Sequence, residues 1–179
     1  MQPRSNADDL AALLTPLIRE VPDFPHPGVL FRDLAPVFAD ATAFRAAVDA
    51  LVAPALQIDV VVGVEARGFL LGAGAAYALG TGVIGVRKPG KLPVVCDREG
   101  YELEYGVTSL ELAHGVLRPG QRALVVDDVL ATGGTAVATC ALVERAGAIV
   151  EDLAVLLEIA ALRGRDRLAG RSLRALLTV

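Results

Sequence analysis

The run Leu124–Thr135 constrains the fold of this chain more than any other segment. It reads L-V-V-D-D-V-L-A-T-G-G-T: apolar residues, then two adjacent carboxylates, then a short stretch of small residues. A strand over residues 122–126 and a helix over 135–146 that stops at Gly147 predict a strand–turn–helix unit. A helix that follows a buried strand returns the chain for another strand in the same direction, which indicates a parallel sheet.

The turn of this unit has the composition of an anion site. Its two glycines let the main chain approach an anion without a Cβ in the way, and its two threonines add hydroxyl donors. The helix that follows directs free N–H groups and the positive end of its dipole toward the same point. The candidate residues of the turn are Ala131, Thr132, Gly133, Gly134 and Thr135.

The acidic pair before the turn extends this interpretation. Asp127 and Asp128 can accept hydrogen bonds from sugar hydroxyls, so the whole run predicts a site for a sugar that carries a phosphate. The alternative is an ordinary strand–turn–helix with a Thr N-cap and an exposed Asp pair.

Composition narrows the class of protein. The chain has 179 residues, 54% of them hydrophobic, and carries a net charge of −4, which predicts a single domain over 1–179 with a sizeable core. We find no basic run, no apolar run that would span a bilayer and no apolar signal region near residue 1. We therefore expect a cytoplasmic protein that binds neither nucleic acid nor membrane. Cys96 and Cys140 have no metal-ligand spacing and are expected to be unrelated thiols.

Alternating short apolar strands and helices predict an α/β fold, a central mostly parallel sheet flanked by helices. The predicted helices cover about 8–19, 41–56, 69–79 and 135–146, and the predicted strands 58–64, 83–87, 122–126 and 153–157, followed by a polar turn at 163–167 and an edge element. Residues 21–33 are rich in proline and predict a rigid, irregular, extended path. Residues 88–106 predict a polar excursion with two short strands and a flexible loop.

Three polar segments follow predicted strands, so they should meet beyond the carboxyl ends of one sheet. The first is Glu65–Gly68, where Arg67 can form a fork for pyrophosphate oxygens. The second contains Arg87, Lys88 and Lys91, three cations suited to a leaving pyrophosphate. The third is the acidic run. On their own, the first two segments could be a plain βα turn and a solvated hairpin lip. A GxGxxG pattern at 80–85 is a helix stop, because it follows a helix and opens a strand.

Four motifs, in order along the chain, resemble the type I phosphoribosyltransferases, and in their details those specific for adenine. They are D-F-P-H-P-G-V-L-F-R-D over 23–33, R-K-P-G-K-L-P over 87–93, L-E-Y-G over 103–106 and the Asp127–Thr135 run. By this resemblance, Leu30, Phe31 and Arg32 belong to a small N-terminal hood, about 21–35, that holds the base. Glu104 moves a proton to or from the purine, and Tyr105 covers the site. From the residues alone, the last two segments could be a packed irregular segment and a solvent-facing hairpin.

The resemblance also implies the reaction and its partners. It implies transfer of phosphoribose from phosphoribosyl pyrophosphate to adenine, giving AMP and pyrophosphate, with Mg²⁺ held mainly by substrate and water. It implies a homodimer, a loop at 88–106 that closes over the substrate, catalytic roles for Glu104, Arg67 and Lys88, and a cis peptide bond at Glu65–Ala66. Three alternatives stay open: another purine (hypoxanthine, guanine or xanthine), a regulator that senses phosphoribosyl pyrophosphate, and a synthetase with the same signature.

Overall fold

A computed structural model of the chain describes residues 6–52, 57–103 and 106–179. Contacts divide the chain into two compact units, with the division between Ala50 and Leu51. Among the described residues, no helix combines the length and the apolar character that crossing a membrane requires.

The first unit is built from short elements. They are α1 (Asn6–Leu14), β1 (Arg19–Pro22), β2 (Leu30–Asp33), α2 (Ala35–Ala39) and α3 (Ala41–Val52), which runs across the division. The first helix ends before the predicted Arg19, because Pro16 lies in a 3₁₀ turn at Thr15–Leu17 that closes it. Asp40 caps α3 as predicted, its Oδ1 accepting a hydrogen bond from the Ala43 N–H at 2.8 Å. The predicted end of that helix, 53–56, lies outside the described residues.

The proline-rich stretch is more regular than predicted. Strands β1 and β2 form an antiparallel ribbon in which Arg19 faces Asp33. The prolines lie at the end of β1 and in the connection, where no ladder N–H is needed, so they do not prevent pairing. Asp23, at φ 56°, turns the chain, and its Oδ1 accepts a hydrogen bond from the Gly28 N–H at 2.7 Å.

The second unit is organised around a five-stranded parallel sheet of order β4-β3-β7-β8-β9. Its elements are β3 (Val60–Val64), α4 (Gly68–Leu79), β4 (Gly82–Val86), β5 (Val95–Leu103), β6 (Gly106–Ala113), β7 (Arg122–Leu130), α5 (Gly134–Arg145), β8 (Ile149–Glu158) and β9 (Leu173–Thr178). The central strands β3, β7 and β8 are rich in buried Val and Leu side chains, as expected for strands covered on both faces. The predicted α/β class is confirmed.

Several strands are longer than predicted. We predicted that β7 would end at Val126, but it continues to Leu130, because β8 pairs with it through Leu130 and Glu158. The acidic pair therefore lies within the sheet and not in the turn. The predicted excursion at 88–106 contains only the first strand of a long antiparallel hairpin, because β6 extends to Ala113 and buries Leu110 and Leu112. This alternation of apolar residues in β6 is a signal that our sequence analysis missed.

An ion cluster joins this hairpin to α5. Arg145, in the last turn of α5, binds the carboxylates of Asp97 and Glu99 at 2.5 and 2.6 Å. Its hydrogen bond to Asp97 holds the pKa of that carboxyl below its usual value. The predicted helix stop at Gly80 is confirmed, since this residue adopts φ 68° directly after α4.

Candidate functional site

The turn after β3 and the acidic pair of β7 lie at the same edge of the sheet. Gly68, the first residue of α4, packs so closely on β7 that an added Cβ would lie 2.9 Å from Asp127 Oδ1 and 2.9 Å from the Val126 carbonyl oxygen. The convergence predicted from the strand ends is therefore confirmed for these two segments. The predicted cis peptide bond at Glu65–Ala66 is present as well.

Arg67 and Asp128 form the closest charged contact across this edge. Arg67 Nε lies 2.7 Å from Asp128 Oδ2, and the Arg67 side chain stays 35% exposed whereas that of Asp128 is only 10% exposed. Although the two charges are close, Asp128 Oδ2 is buried and accepts no hydrogen bond of suitable geometry from the described residues. A buried carboxylate oxygen without a hydrogen bond is costly, and a ligand hydroxyl could supply the missing donor.

Asp127 is contacted by the main chain of its neighbour. Its Oδ1 accepts a hydrogen bond from the Asp128 N–H at 2.8 Å. Burial and the adjacent Asp128 charge raise the pKa of Asp127 well above its ordinary value, and this outweighs the lowering effect of that hydrogen bond and of Arg67.

Glu65 organises the predicted cations, a role that our sequence analysis missed. Its Oε2 accepts hydrogen bonds from the Lys88 N–H at 2.8 Å and from Arg87 Nε at 3.3 Å. Partial burial pushes the pKa of Glu65 up, but these hydrogen bonds and the two nearby positive charges outweigh it and leave the pKa lowered. Glu65 therefore links the ends of β3 and β4, which are neighbouring parallel strands.

Arg87 is further oriented by an aromatic ring and by the hairpin. Its guanidinium lies 5.5 Å from the centre of the Phe69 ring, within the range of a cation–π interaction. The main chain of Arg87 pairs with that of Glu111 in β6. Lys88 and Lys91, which follow Arg87 in the sequence, are both exposed. The second predicted segment thus also lies at a strand end beside the first.

The small-residue turn has the geometry of an anion site. Gly133 adopts φ 82°, a conformation that favours glycine, and α5 begins at the next residue. The main-chain N–H groups of the first turn of a helix have no partner within the helix, so they are available to an anion. Gly133 also packs against Gly164, where an added Cβ would lie 2.5 Å from the Gly164 carbonyl oxygen. Nothing in our sequence analysis pointed to Gly164.

Some predicted site residues are not brought together by these observations. Glu104 and Tyr105 lie outside the described residues. Leu30, Phe31 and Arg32 belong to the first unit, which is described by itself. There, Phe31 packs edge-on against Phe24 with ring centres 5.0 Å apart, and Arg32 forms an ion pair with Glu20.

The carboxylates at this edge of the sheet suit a metal ion whose other ligands are substrate oxygens and water. Within residues 6–52, 57–103 and 106–179, no three His, Cys, Asp or Glu side chains are grouped so that they could hold a metal ion. Mg²⁺ commonly binds to one or two carboxylates together with water and substrate phosphates. The Asp127–Asp128 pair, with its buried oxygen that lacks a donor, fits that mode.

Comparisons with known proteins agree on one family. Residues 40–171 match the phosphoribosyl transferase domain. The chain is 56% identical over 177 residues to the adenine phosphoribosyltransferase of Clavibacter michiganensis, covering 99% of each chain. It is 61% identical over 162 residues to that of Saccharopolyspora erythraea, covering 90% of this chain and 88% of the relative.

Solved structures give the same result. The adenine phosphoribosyltransferase of Rhodothermus marinus superposes with a TM-score of 0.91 at 44% identity, covering 96% of this chain and 99% of that one. The enzyme of Saccharomyces cerevisiae, solved with an imino-altritol bisphosphate and adenine, gives a TM-score of 0.89 at 36% identity, covering 95% of this chain and 99% of that one.

Proposed function

This chain belongs to the phosphoribosyl transferase family, and we propose how its residues perform one reaction of purine salvage. The protein is an enzyme that transfers phosphoribose from phosphoribosyl pyrophosphate to adenine and gives AMP and pyrophosphate. The observation that supports our assignment of roles is the contact of Arg67 with Asp128 at 2.7 Å, because it joins the turn after β3 to the acidic end of β7.

In our proposal, the cations at the ends of β3 and β4 bind the leaving pyrophosphate. Breaking the anomeric bond moves negative charge onto the leaving group, and fixed positive charges stabilise that charge. Glu65 supports this role because it holds the Arg87 side chain and the Lys88 main chain in place before substrate arrives. The residues concerned are Arg67, Arg87, Lys88 and Lys91.

The acidic pair and the small-residue turn hold the sugar. Asp127 and Asp128 accept hydrogen bonds from ribose hydroxyls and lie near the positive charge that develops on the ring. The N–H groups and hydroxyls of Ala131–Thr135 bind the 5′-phosphate. Binding energy from this remote phosphate then orients the reacting carbon between adenine and pyrophosphate.

The adenine side of the reaction is assigned by resemblance to the family. Glu104 moves a proton to or from the purine and Tyr105 covers the site, carried by a loop at 88–106 that closes and excludes water. Phe31 stacks on the base, while Leu30 and Arg32 complete the hood. The exposed edge of the β1–β2 ribbon is consistent with this role, since Leu30 is 45% exposed.

Substrate oxygens and water would be, in our proposal, the main groups that hold Mg²⁺ at this edge of the sheet. When bound, it neutralises part of the diphosphate charge. The acidic pair offers carboxylate oxygens for direct or water-mediated contact. We further propose that the enzyme is a cytoplasmic homodimer in which 1–179 act as one functional domain.

A direct assay tests this assignment. The protein is incubated with magnesium, phosphoribosyl pyrophosphate and each of adenine, hypoxanthine, guanine and xanthine in turn, and the monophosphate formed is identified by chromatography. We expect AMP, and we expect Arg67→Gln to lower turnover by about 10²-fold, as for the loss of one charge-stabilising group. The matched control is Arg122→Gln, at the start of β7, which should keep wild-type turnover. Formation of another monophosphate, or equal turnover of the two variants, would contradict the proposal.

A further inference from the structure

Beyond the roles above, the segment Arg163–Leu168 presses on the turn that binds phosphate in our proposed function. A Cβ on Gly164 would collide with the Ala131 carbonyl oxygen and would lie 2.9 Å from the Gly133 nitrogen. In the other direction, a Cβ on Gly133 would meet the Gly164 carbonyl group. The two glycines are therefore in mutual main-chain contact across the turn, and neither has room for a side chain.

One backbone turn and two contacts fix the path of this segment. Arg163 adopts φ 52° and reverses the chain into a 3₁₀ helix that begins at Gly164. At its other end, Leu168 is only 2% exposed and packs in the cluster that contains Ala136 of α5. Between them, Arg165 forms a bidentate pair with Glu158, with Nε 3.0 Å from Oε1 and Nη2 2.5 Å from Oε2.

Glu158 completes a ring of contacts around the small-residue turn. It is the last residue of β8, it is paired with Leu130 at the end of β7, and the next residue donates its N–H to the Leu130 carbonyl oxygen at 2.9 Å. The chain then passes from Leu130 into the turn, the turn contacts Gly164, and Arg165 returns to Glu158. Arg165 Nη1 also binds the Leu173 carbonyl oxygen of β9 at 3.0 Å.

We propose that Gly164, Arg165 and Glu158 are positioning residues that fix the conformation of the Ala131–Gly133 turn for the 5′-phosphate of the substrate. The inference rests on the proposed role of that turn. Glu158 is only 7% exposed, so its carboxylate is held in one orientation. The bidentate pair with Arg165 should therefore stabilise the turn more than a fully exposed ion pair would. A turn held from outside keeps its N–H groups aligned before the phosphate arrives, which lowers the entropic cost of binding.

Equilibrium binding of two ligands tests the proposal, because AMP engages the phosphate turn and magnesium pyrophosphate engages the opposite, cationic end. We expect Gly164→Ala and Arg165→Gln to weaken AMP binding by about tenfold, as for a small displacement of a positioning group. Pyrophosphate binding should stay within about twofold of wild type, the range of independent sites. A loss of global stability would weaken both ligands together, so the ratio separates a positioning role from a merely structural one.

The chain offers matched controls for each variant. Arg122→Gln removes a similar Arg–Glu pair, Arg122 with Glu151, from the other end of β7 and β8. Gly82→Ala adds a Cβ in open space and should be neutral. Arg165→Lys keeps the charge but loses the bidentate geometry, so it should give an intermediate affinity. If Gly164→Ala does not fold, Arg165→Gln and Glu158→Gln carry the test.

The outcomes separate the two proposals. Wild-type protein that binds neither ligand overturns the proposed site and the positioning role with it. Wild-type protein that binds both, with variants that bind AMP as tightly as Arg122→Gln does, leaves the site intact and overturns only the positioning role. An equal loss of AMP and pyrophosphate binding also overturns it.

Discussion

Among single residues, the acidic pair departs most from what sequence alone could indicate. The letters D-D predict two carboxylates near a ligand, but they carry no information on burial. In the structure, burial and the adjacent Asp128 charge raise the pKa of Asp127. The folded state therefore binds that proton more tightly than the unfolded chain, and stability falls as pH rises from 3.8, the ordinary pKa, through the raised value.

Asp127→Asn should therefore stabilise the fold while it damages the site. The amide oxygen can still accept the hydrogen bond from the Asp128 N–H, and the charge repulsion disappears. We expect the free energy of unfolding at neutral pH to rise, because the unfavourable charge at this site is removed, and the gain to shrink toward acid pH. Thermal unfolding at several pH values measures the gain, and the KM for phosphoribosyl pyrophosphate should rise.

The control for this variant is Asp59→Asn, because the Asp59 carboxylate accepts a hydrogen bond from the N–H of Arg122, the first residue of β7, at the other end of the strand from the candidate site. It should bring no gain in stability and no change in KM. A loss of stability in Asp127→Asn at every pH would contradict the raised pKa of the Asp127 carboxyl.

Two further site residues, Glu65 and Gly164, act through contacts between segments that are distant in the sequence. Glu65 binds groups 22 and 23 residues later, and Gly164 contacts a turn that is about thirty residues earlier. No local periodicity or motif encodes such contacts, so sequence reasoning did not find these roles. It did single out Arg67, Asp127, Asp128 and the turn as candidates, because each of these lies at or beyond the end of an apolar strand.

At the level of elements, sequence reasoning succeeded where hydrophobic pattern decides the structure. The cores of β3, β7 and β8 and the helices α4 and α5 were predicted within a few residues. It failed where the length of a strand depends on pairing with a neighbouring strand. Strand β8 extends β7 across two carboxylates, and the β1–β2 ribbon forms despite its prolines. The partner strand determines these lengths, and its register cannot be read from one segment alone.

Gly68→Ala tests how the first turn of α4 positions the acidic pair. The added Cβ would press on the Val126 carbonyl oxygen and on Asp127 Oδ1, so strand or helix must shift. We expect a loss of about 1–3 kcal/mol in stability, typical of overpacking, together with a large rise in the KM for phosphoribosyl pyrophosphate.

Gly72→Ala is the matched control on the same helix. Its Cβ would lie 3.2 Å from Gly63 Cα in β3, away from the carboxylates. It should lose stability while its KM changes little, as measured by denaturant unfolding and initial rates. A similar rise in KM in both variants would show that helix packing in general, and not the contact with Asp127, controls binding.

At the scale of the whole molecule, one face of α4 remains without a partner among the described residues of the second unit. Leu70, Ala73 and Tyr77 follow at helical spacing and are all exposed, Tyr77 by 90%. Val83 on the adjacent edge strand β4 is 49% exposed. A row of exposed apolar side chains next to a sheet edge is typical of a protein interface, which supports the proposed homodimer.

Tyr77→Glu should dissociate that dimer. A charge at the centre of an apolar interface is unfavourable, and loss of a buried aromatic commonly costs about 2 kcal/mol of binding, roughly thirtyfold in affinity. Light scattering after size-exclusion chromatography measures the mass. Ile149→Glu, at a residue that is 51% exposed at the start of β8, is the control and should leave the mass unchanged. A wild-type monomer, or a dimeric Tyr77→Glu, would contradict the proposed interface.

The unsatisfied oxygen of Asp128 has a consequence for which sugars the enzyme accepts. A ribose hydroxyl that donates to this atom would add a well-aligned hydrogen bond to the charged contact with Arg67, whereas a deoxy sugar would leave the atom with that contact alone. We therefore expect the enzyme to favour ribonucleotide over deoxyribonucleotide products, because an analogue without the hydroxyl forfeits a hydrogen bond and meets no clash.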